Sequence, residues 1–208
     1  MRRGGKRQSK APSHSRIAAT LVALFLGFGS AGSQAHTVQT SSLLFDNFRS
    51  ICLETGGRAA SVALIASSQG WVRLSEAEVR ATVGDIPGSS AWRSPSGGPA
   101  RTLLQAEGLV DGKTTVTCTL VALTASLATD VERNTSAYLG FSSAEFSSGP
   151  IVRQRAWMFA RRGDQVVSAT QLVRERPDFL ENSTEPLYIV TFSTAEGQPF
   201  LSLMAQYP

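Results

Sequence analysis

The chain of 208 residues contains only two histidines and two cysteines. His14 lies in a basic N-terminal stretch, and His36 lies five residues after an apolar stretch that ends at Ala31. The sequence after His36 contains no histidine. Ser-His-Asp and Cys-His catalytic sets need an imidazole inside a folded site. HExxH, CxxC and P-loop motifs are absent, as is a GxGxxG motif after a predicted strand. These absences argue against the common nucleophilic, zinc-dependent and nucleotide-dependent enzymes, and no metal or cofactor is expected.

Lysine is also scarce, since Lys113 is the only one after residue 35 and no SxxK motif contains it. Six of the 20 basic residues and none of the 16 acidic residues precede His36, which leaves a net charge of −2 from residue 36 onward. The positive charge of the whole chain therefore belongs to its N-terminal stretch. It gives no support for nucleic-acid binding.

Residues 1–35 have the pattern of a secretory signal peptide. A basic stretch precedes fifteen uncharged residues, Ile17 to Ala31, and Ser33-Gln34-Ala35 follows with the small-x-small pattern of a cleavage site. We expect cleavage between Ala35 and His36 and a periplasmic or secreted bacterial protein with no membrane contact afterwards. The alternative is an uncleaved single-pass anchor, although a spanning helix needs about 20 apolar residues.

The two cysteines, Cys52 and Cys118, both follow the predicted signal peptide. An even count in an exported chain favours one disulfide, whereas the alternative is two unrelated buried thiols. Cys118 shares a strand face with Val116 and Leu120, so the helix that carries Cys52 should pack against that face.

The pattern of residues 36–208 predicts a single α+β domain. Apolar spacing, capping pairs and terminal glycines predict helices in SSLLFDNFRSICLETGG, RAASVALIASSQG, SEAEVRAT and TDVERNTSAYLG. Asp111-Gly112 favours the turn of one hairpin, and RRGD is expected to turn a second hairpin that runs from Ile151 to Val173. With two final strands, we expect an antiparallel sheet of about five to six strands, with the N-terminal helices packed on one face.

One strand of the second hairpin carries a candidate ligand or partner surface. Alternation separates two sets of side chains in IVRQRAWMFARR. We expect the small apolar set, Val152, Ala156, Met158 and Ala160, to lie under helices. The other set would then face solvent or a groove, and it comprises Arg153, Arg155, Trp157, Phe159 and Arg161. Such a face suits an anionic glycan or another envelope protein, whereas the alternative is ordinary cross-strand pairing.

Acidic and aromatic residues elsewhere offer two further candidates. Glycosidases use paired carboxylates, but Glu76 and Glu78 are typical of a solvated helix face, and Glu107 and Asp111 flank a hairpin turn. Trp71 and Trp92 border turn-rich segments, where a large ring usually closes the end of a core and more rarely stacks on a sugar.

The stretch LLFDNFRSICLETGGRAASVALIASSQGW resembles small exported proteins of alphaproteobacteria. Those proteins carry a Phe-x-x-x-Cys helix and then an Ala-rich helix that ends in Gly-Trp, positions held here by Phe48, Cys52, Gly70 and Trp71. The resemblance spans about 36 residues after the predicted signal peptide and implies no activity and no catalytic residue.

Taken together, these features predict an exported, non-catalytic module that binds a ligand or partner of the cell envelope. The alternatives are an envelope hydrolase that acts through carboxylates and a domain anchored by residues 17–35.

Overall fold

A computed structural model describes residues 37–96, 100–122, 128–147, 153–176, 183–195 and 198–208. The predicted signal peptide and its cleavage site at Ala35 and His36 lie outside these residues. The helices are α1 (Thr37–Phe48), which continues into a π-helical turn (Arg49–Leu53), then α2 (Ala59–Ser68), α3 (Glu76–Val83), α4 (Ala128–Leu139) and α5 (Ala169–Glu175). The strands are β1 (Val72–Arg73), β2 (Ser89–Arg93), β3 (Arg101–Val110), β4 (Lys113–Ala122), β5 (Ala144–Ser147), β6 (Arg153–Arg162), β7 (Gln165–Ser168), β8 (Leu187–Ala195) and β9 (Gln198–Tyr207).

All strands of the described chain join one antiparallel sheet. Eight of them follow the order β1-β2-β3-β4-β9-β8-β6-β5, and β7 pairs with the end of β6 beyond β5. The α+β class and the antiparallel sheet are therefore as predicted. The predicted count of five to six strands was too low because short segments such as Val72–Arg73 and Ala144–Ser147 extend the sheet at its edges. Segments this short show too little alternation to be recognised.

The principal core lies between one face of the sheet and helices α1, α2 and α4. It contains Phe48 and Ile51 from the N-terminal helices, Val131 from α4, and Leu120 and Leu201 from the sheet. We call this side of the sheet the helix face. α1 and α2 pack on this face, as predicted, whereas α3, the third predicted helix, packs on the opposite face of the sheet.

The π-helical turn brings Ile51, Cys52 and Leu53 into the core in succession. Cys52 is disulfide-bonded to Cys118 of β4, as predicted. The disulfide therefore links the π-helical turn after α1 covalently to β4 on the helix face.

Local signals in the sequence set several element boundaries. Ser75 and Glu78 form the predicted capping box at the start of α3. Asp111 and Gly112 both adopt positive φ, 51° and 78°, as a two-residue type I′ turn requires. α1 begins at Thr37, four residues before the predicted helical segment SSLLFDNFRSICLETGG.

The second hairpin is shorter than predicted. β7 ends at Ser168, whereas the strand was expected to continue to Val173, and α5 begins at Ala169. The hydroxyl of Ser168 accepts a hydrogen bond from the Gln171 amide at 3.3 Å and so caps the helix. Leu172 of α5 packs on Ala160 and Val167, so the helix is held against the sheet by this buried cluster.

Candidate functional site

The second side of the sheet, which we call the open face, carries a groove. α3 covers one end of this face, where Val79 and Val83 pack on Ala91 and Leu104. α5 covers the other end, against Ala160 of β6. Between the two helices, a cavity of about 140 Å³ crosses the strands.

The floor of the groove is a row of cross-strand partners. The row crosses four adjacent strands, β3, β4, β9 and β8, as Leu104, Thr119, Ser202 and Thr191. Directly paired side chains on one face stand about 5 Å apart. The Thr119 and Ser202 hydroxyls are 2.8 Å apart and hydrogen-bonded to each other. Three of the four floor residues are small, so the row forms a trough.

Larger apolar side chains form the walls. Phe200 precedes Ser202 by two residues on β9, Met204 follows it by two, and Ile189 is the cross-strand partner of Met204. Val83 and Ile86 close the groove at the α3 end. No Lys, Arg, His, Asp or Glu of the described chain lines it. The groove therefore offers an uncharged, largely apolar environment.

A second and more open hollow adjoins the groove at the edge of the sheet. It has a volume of about 560 Å³ and shares Ile86, Ser89 and Ser90 with the groove. Its charged residues are Arg73, Glu76, Arg80 and Asp85. Arg80 and Asp85 form an ion pair at 3.7 Å. Arg73 is the cross-strand partner of Trp92, so its guanidinium lies on the helix-face side of the sheet, where it donates to the Ser90 hydroxyl at 3.2 Å. We call this second hollow the polar hollow.

The predicted surface on β6 is not the exposed face of that strand. Trp157 and Phe159 are 0% exposed and belong to the core of the helix face. The Trp157 indole donates to the Ser136 hydroxyl of α4 at 3.1 Å, and Phe159 stacks on Tyr188 at 5.3 Å between ring centroids. The expectation that the aromatic set faces solvent or a groove was wrong, because Trp157 and Phe159 fill the space beneath the helix-face elements, including α4. Val152 of the small apolar set lies outside the described residues.

Two arginines of the predicted surface, Arg155 and Arg161, contribute to this packing. Arg155 pairs with Glu132 of α4 at 3.4 Å. Arg161 donates to the Leu53 carbonyl at 2.9 Å and lies 5.6 Å from the Tyr188 ring centroid. Arg153 begins β6, opposite Ser147 of β5. Arg155 and Arg161 therefore hold helices to the sheet.

The two candidate tryptophans are core residues as well. Trp71 and Trp92 are both buried within the principal core. Arg101 lies 5.7 Å from the Trp71 ring centroid and is only 7% exposed. Burial lowers the pKa of the Arg101 guanidinium, and its Nε and Nη1 have no hydrogen-bond partner among the described residues.

The four candidate acids do not line the groove. Glu78 caps α3, and hydrogen bonds from Ser75 hold the pKa of its carboxyl below the usual value. Glu107 accepts from the Ala59 amide at 3.2 Å and pairs with Arg58 at 3.3 Å. Asp111 occupies the β3–β4 turn, and Glu76 lies in the first turn of α3 beside the polar hollow. The structure does not bring them together as a catalytic pair.

Metal ligands are likewise dispersed in the described part of the chain, where no group of three or more His, Cys, Asp or Glu could hold a metal ion. Among the described helices, none is long and apolar enough to cross a membrane.

Part of the groove lining, the threonine face of β4, could be predicted from the sequence. Alternation placed Thr115, Thr117 and Thr119 on the face of β4 opposite Cys118. No local signal indicated that Ser202 and Thr191 would stand beside Thr119, because their strands lie far along the chain.

The described residues thus define an α+β domain with one antiparallel sheet, a disulfide-linked helix face, and an open face whose two ends are covered by α3 and α5. No protein-family model, curated protein or solved structure matches the chain.

Proposed function

We propose that this chain is an exported protein of the bacterial cell envelope, periplasmic or secreted, that binds a ligand or partner in the groove of the open face. The groove is the observation that carries the proposal. A half-buried apolar trough with a few polar groups is the usual form of a small-ligand site. The disulfide and the pattern of residues 1–35 support an oxidising compartment outside the cytosol.

The chemistry of the groove narrows the choice of ligand. An anionic glycan needs guanidinium or ammonium partners and many hydrogen bonds, and the groove lining supplies no charge. The Thr119 and Ser202 hydroxyls already bond to each other. A ligand with an uncharged, apolar body therefore fits the groove better than a charged polymer.

The export part of the proposal is tested by N-terminal sequencing of protein recovered from the periplasm of a bacterial host. A chain that begins at His36 supports it. A chain that still carries residues 1–35 supports the single-pass anchor instead.

The binding part is tested by retention of envelope components on immobilised protein. We expect one component to be retained by the native protein and lost by Ser202→Phe, which fills the floor of the groove. Ser67→Phe is the matched control, since Ser67 is an exposed residue of α2 on the helix face. Equal retention by all three proteins, or by none, would refute the assignment of the groove.

A further inference from the structure

We propose that Arg101 binds the carboxylate of a small ligand at one end of the helix face. This site is separate from the groove on the open face, so the inference goes beyond the proposed function. The observation that carries it is the side chain of Arg101, which is only 7% exposed. Two nitrogen atoms of its guanidinium, Nε and Nη1, are buried and have no hydrogen-bond partner among the described residues.

The strand register places Arg101 at the end of the sheet. It is the first residue of β3 and the cross-strand partner of Ala122, the last residue of β4. Its side chain shares the helix face with Leu103, a residue of the principal core. The Arg101 amide donates to the Ser94 hydroxyl at 3.1 Å, and the Trp71 ring centroid lies 5.7 Å from the guanidinium carbon. We call Arg101, Ser94 and Trp71 the arginine corner.

A guanidinium that is buried in this way needs acceptors that the arginine corner does not supply. Arginine carries five N–H donors and stays protonated in proteins. Burying such a charge without hydrogen-bonding partners is strongly unfavourable. Trp71 offsets only part of this cost, because 5.7 Å is close to the outer limit of about 6 Å for a cation–π contact. Its indole N–H is itself a donor and not an acceptor. The in-plane donors of Arg101 therefore remain available to a ligand.

The adjoining segments of the chain offer no acid to Arg101. The β2–β3 connection, residues 94–100, and the segment that follows β4, residues 123–127, contain no Asp or Glu. Arg93 on the adjacent strand does have an acidic partner, since it pairs with Glu78 of α3 at 3.4 Å on the open face. Among the described residues, Arg101 forms no such pair. We therefore expect its counter-charge to come from a bound anion.

The burial of the arginine corner limits the size of that anion. Arg101, Ser94 and Trp71 are 7%, 8% and 5% exposed. Nη2 is the one guanidinium nitrogen of Arg101 that is not among the enclosed, unpartnered atoms of the described residues. An anion can therefore approach Nη2 from the surface, and only a small group fits beside it.

A carboxylate is the anion that matches one guanidinium. Its two oxygens can accept parallel hydrogen bonds from Nη1 and Nη2, the bidentate arrangement that gives arginine its preference for planar acids. A carboxylate also carries one negative charge, which neutralises Arg101. Phosphate at neutral pH would bring additional negative charge to a corner that holds one buried cation. Formate and acetate have the required charge and size.

The test is thermal unfolding of the protein, expressed from its full sequence, in sodium acetate and in sodium chloride at equal ionic strength and neutral pH. At about ten times its Kd, acetate should raise the unfolding midpoint by about 3–6 °C relative to chloride. Formate should act like acetate, whereas pivalate and inorganic phosphate should act like chloride. Equal midpoints in acetate and chloride would overturn the inference, and so would a shift with phosphate or pivalate as large as that with acetate.

Replacement of the arginine separates this site from general effects of the salt. Arg101→Met should abolish the acetate shift. Without acetate it should unfold at the same temperature as the native protein or higher, because a buried charge without a partner has been removed. Arg93→Gln is the matched control, since Arg93 lies on the adjacent strand and faces the opposite side of the sheet. An acetate shift that persists in Arg101→Met would overturn the assignment.

A measurement on the unmutated protein makes the test independent of whether Arg101→Met folds. The Nε–H signal of Arg101 can be assigned in ¹H–¹⁵N spectra through its connection to the Arg101 backbone. Acetate should shift this signal in a saturable manner, and chloride should not. An acetate titration that leaves the Arg101 signal in place would contradict the site. Ser202→Phe, which alters the opposite face, should keep the shift, so failure of the groove in the retention assay would count against the proposed function alone.

Discussion

Replacement of both Cys52 and Cys118 with alanine removes the covalent bond between the π-helical turn and β4. The bond joins residues 66 positions apart. In the chain-entropy treatment, closing a loop of that length stabilises the folded state by about 4 kcal/mol. Both cysteines are 0% exposed, so the variant also loses two buried sulfur atoms at about 1 kcal/mol each. The free energy of unfolding should fall by about 5–6 kcal/mol, which is comparable with the whole stability of many domains.

Urea denaturation followed by tryptophan fluorescence measures this loss. With a denaturant slope of about 2 kcal/mol/M, the midpoint should fall by about 2–3 M. The native protein refolded in a reducing agent is the control, because it keeps both sulfur atoms and loses only the cross-link. It should lie between the oxidised protein and the alanine variant, about 4 kcal/mol below the former. Equal midpoints for the oxidised and reduced proteins would refute the reasoning, since the bond would then contribute nothing.

Three further predictions concern contacts of the helix face. Trp157→Phe removes the hydrogen bond to Ser136 and should lower the unfolding free energy by about 1 kcal/mol in the same urea assay. Gly56→Ala should cost at least about 1 kcal/mol, because Gly56 has a φ of 62° and the new Cβ would lie 2.5 Å from the Tyr207 hydroxyl. Burial raises the pKa of Tyr207 to about 12, so its contribution to stability is complete below about pH 10 and is lost as the pH rises toward 12. Spectrophotometric titration of the native protein and of Tyr207→Phe should differ by a tyrosinate signal that appears near pH 12.

Much of the local structure could be predicted from the sequence. Two of these features, the Ser75–Glu78 capping box and the Asp111-Gly112 turn, depend only on residues close together in the chain. The disulfide could be predicted because the chain has only two cysteines. The face of β4 that carries Cys118 was also predictable, since successive side chains of a strand point to opposite sides. Such signals are short-range, and tertiary contacts do not easily override them.

The two faces of β6 illustrate what the alternation of side chains cannot predict. Alternation separated Trp157 and Phe159 from Ala156 and Ala160 correctly, but both sets are buried. The alternation of side chains along a strand predicts which residues share a face. It does not predict which helix or loop covers that face. α4 covers one side of β6 and α5 the other, and the sequence pattern predicted a strand where α5 lies.

The groove required the tertiary structure for the same reason. Thr119 and Ser202 are 83 residues apart in the chain, yet their hydroxyls are 2.8 Å apart on the floor of the groove. The sequence alone determined the α+β class, the disulfide and most helix and hairpin positions, because these follow from local backbone preferences and from a covalent bond. Only the tertiary structure decided which strands became neighbours, which faces were covered and where an open trough remained, because those outcomes depend on packing between distant segments.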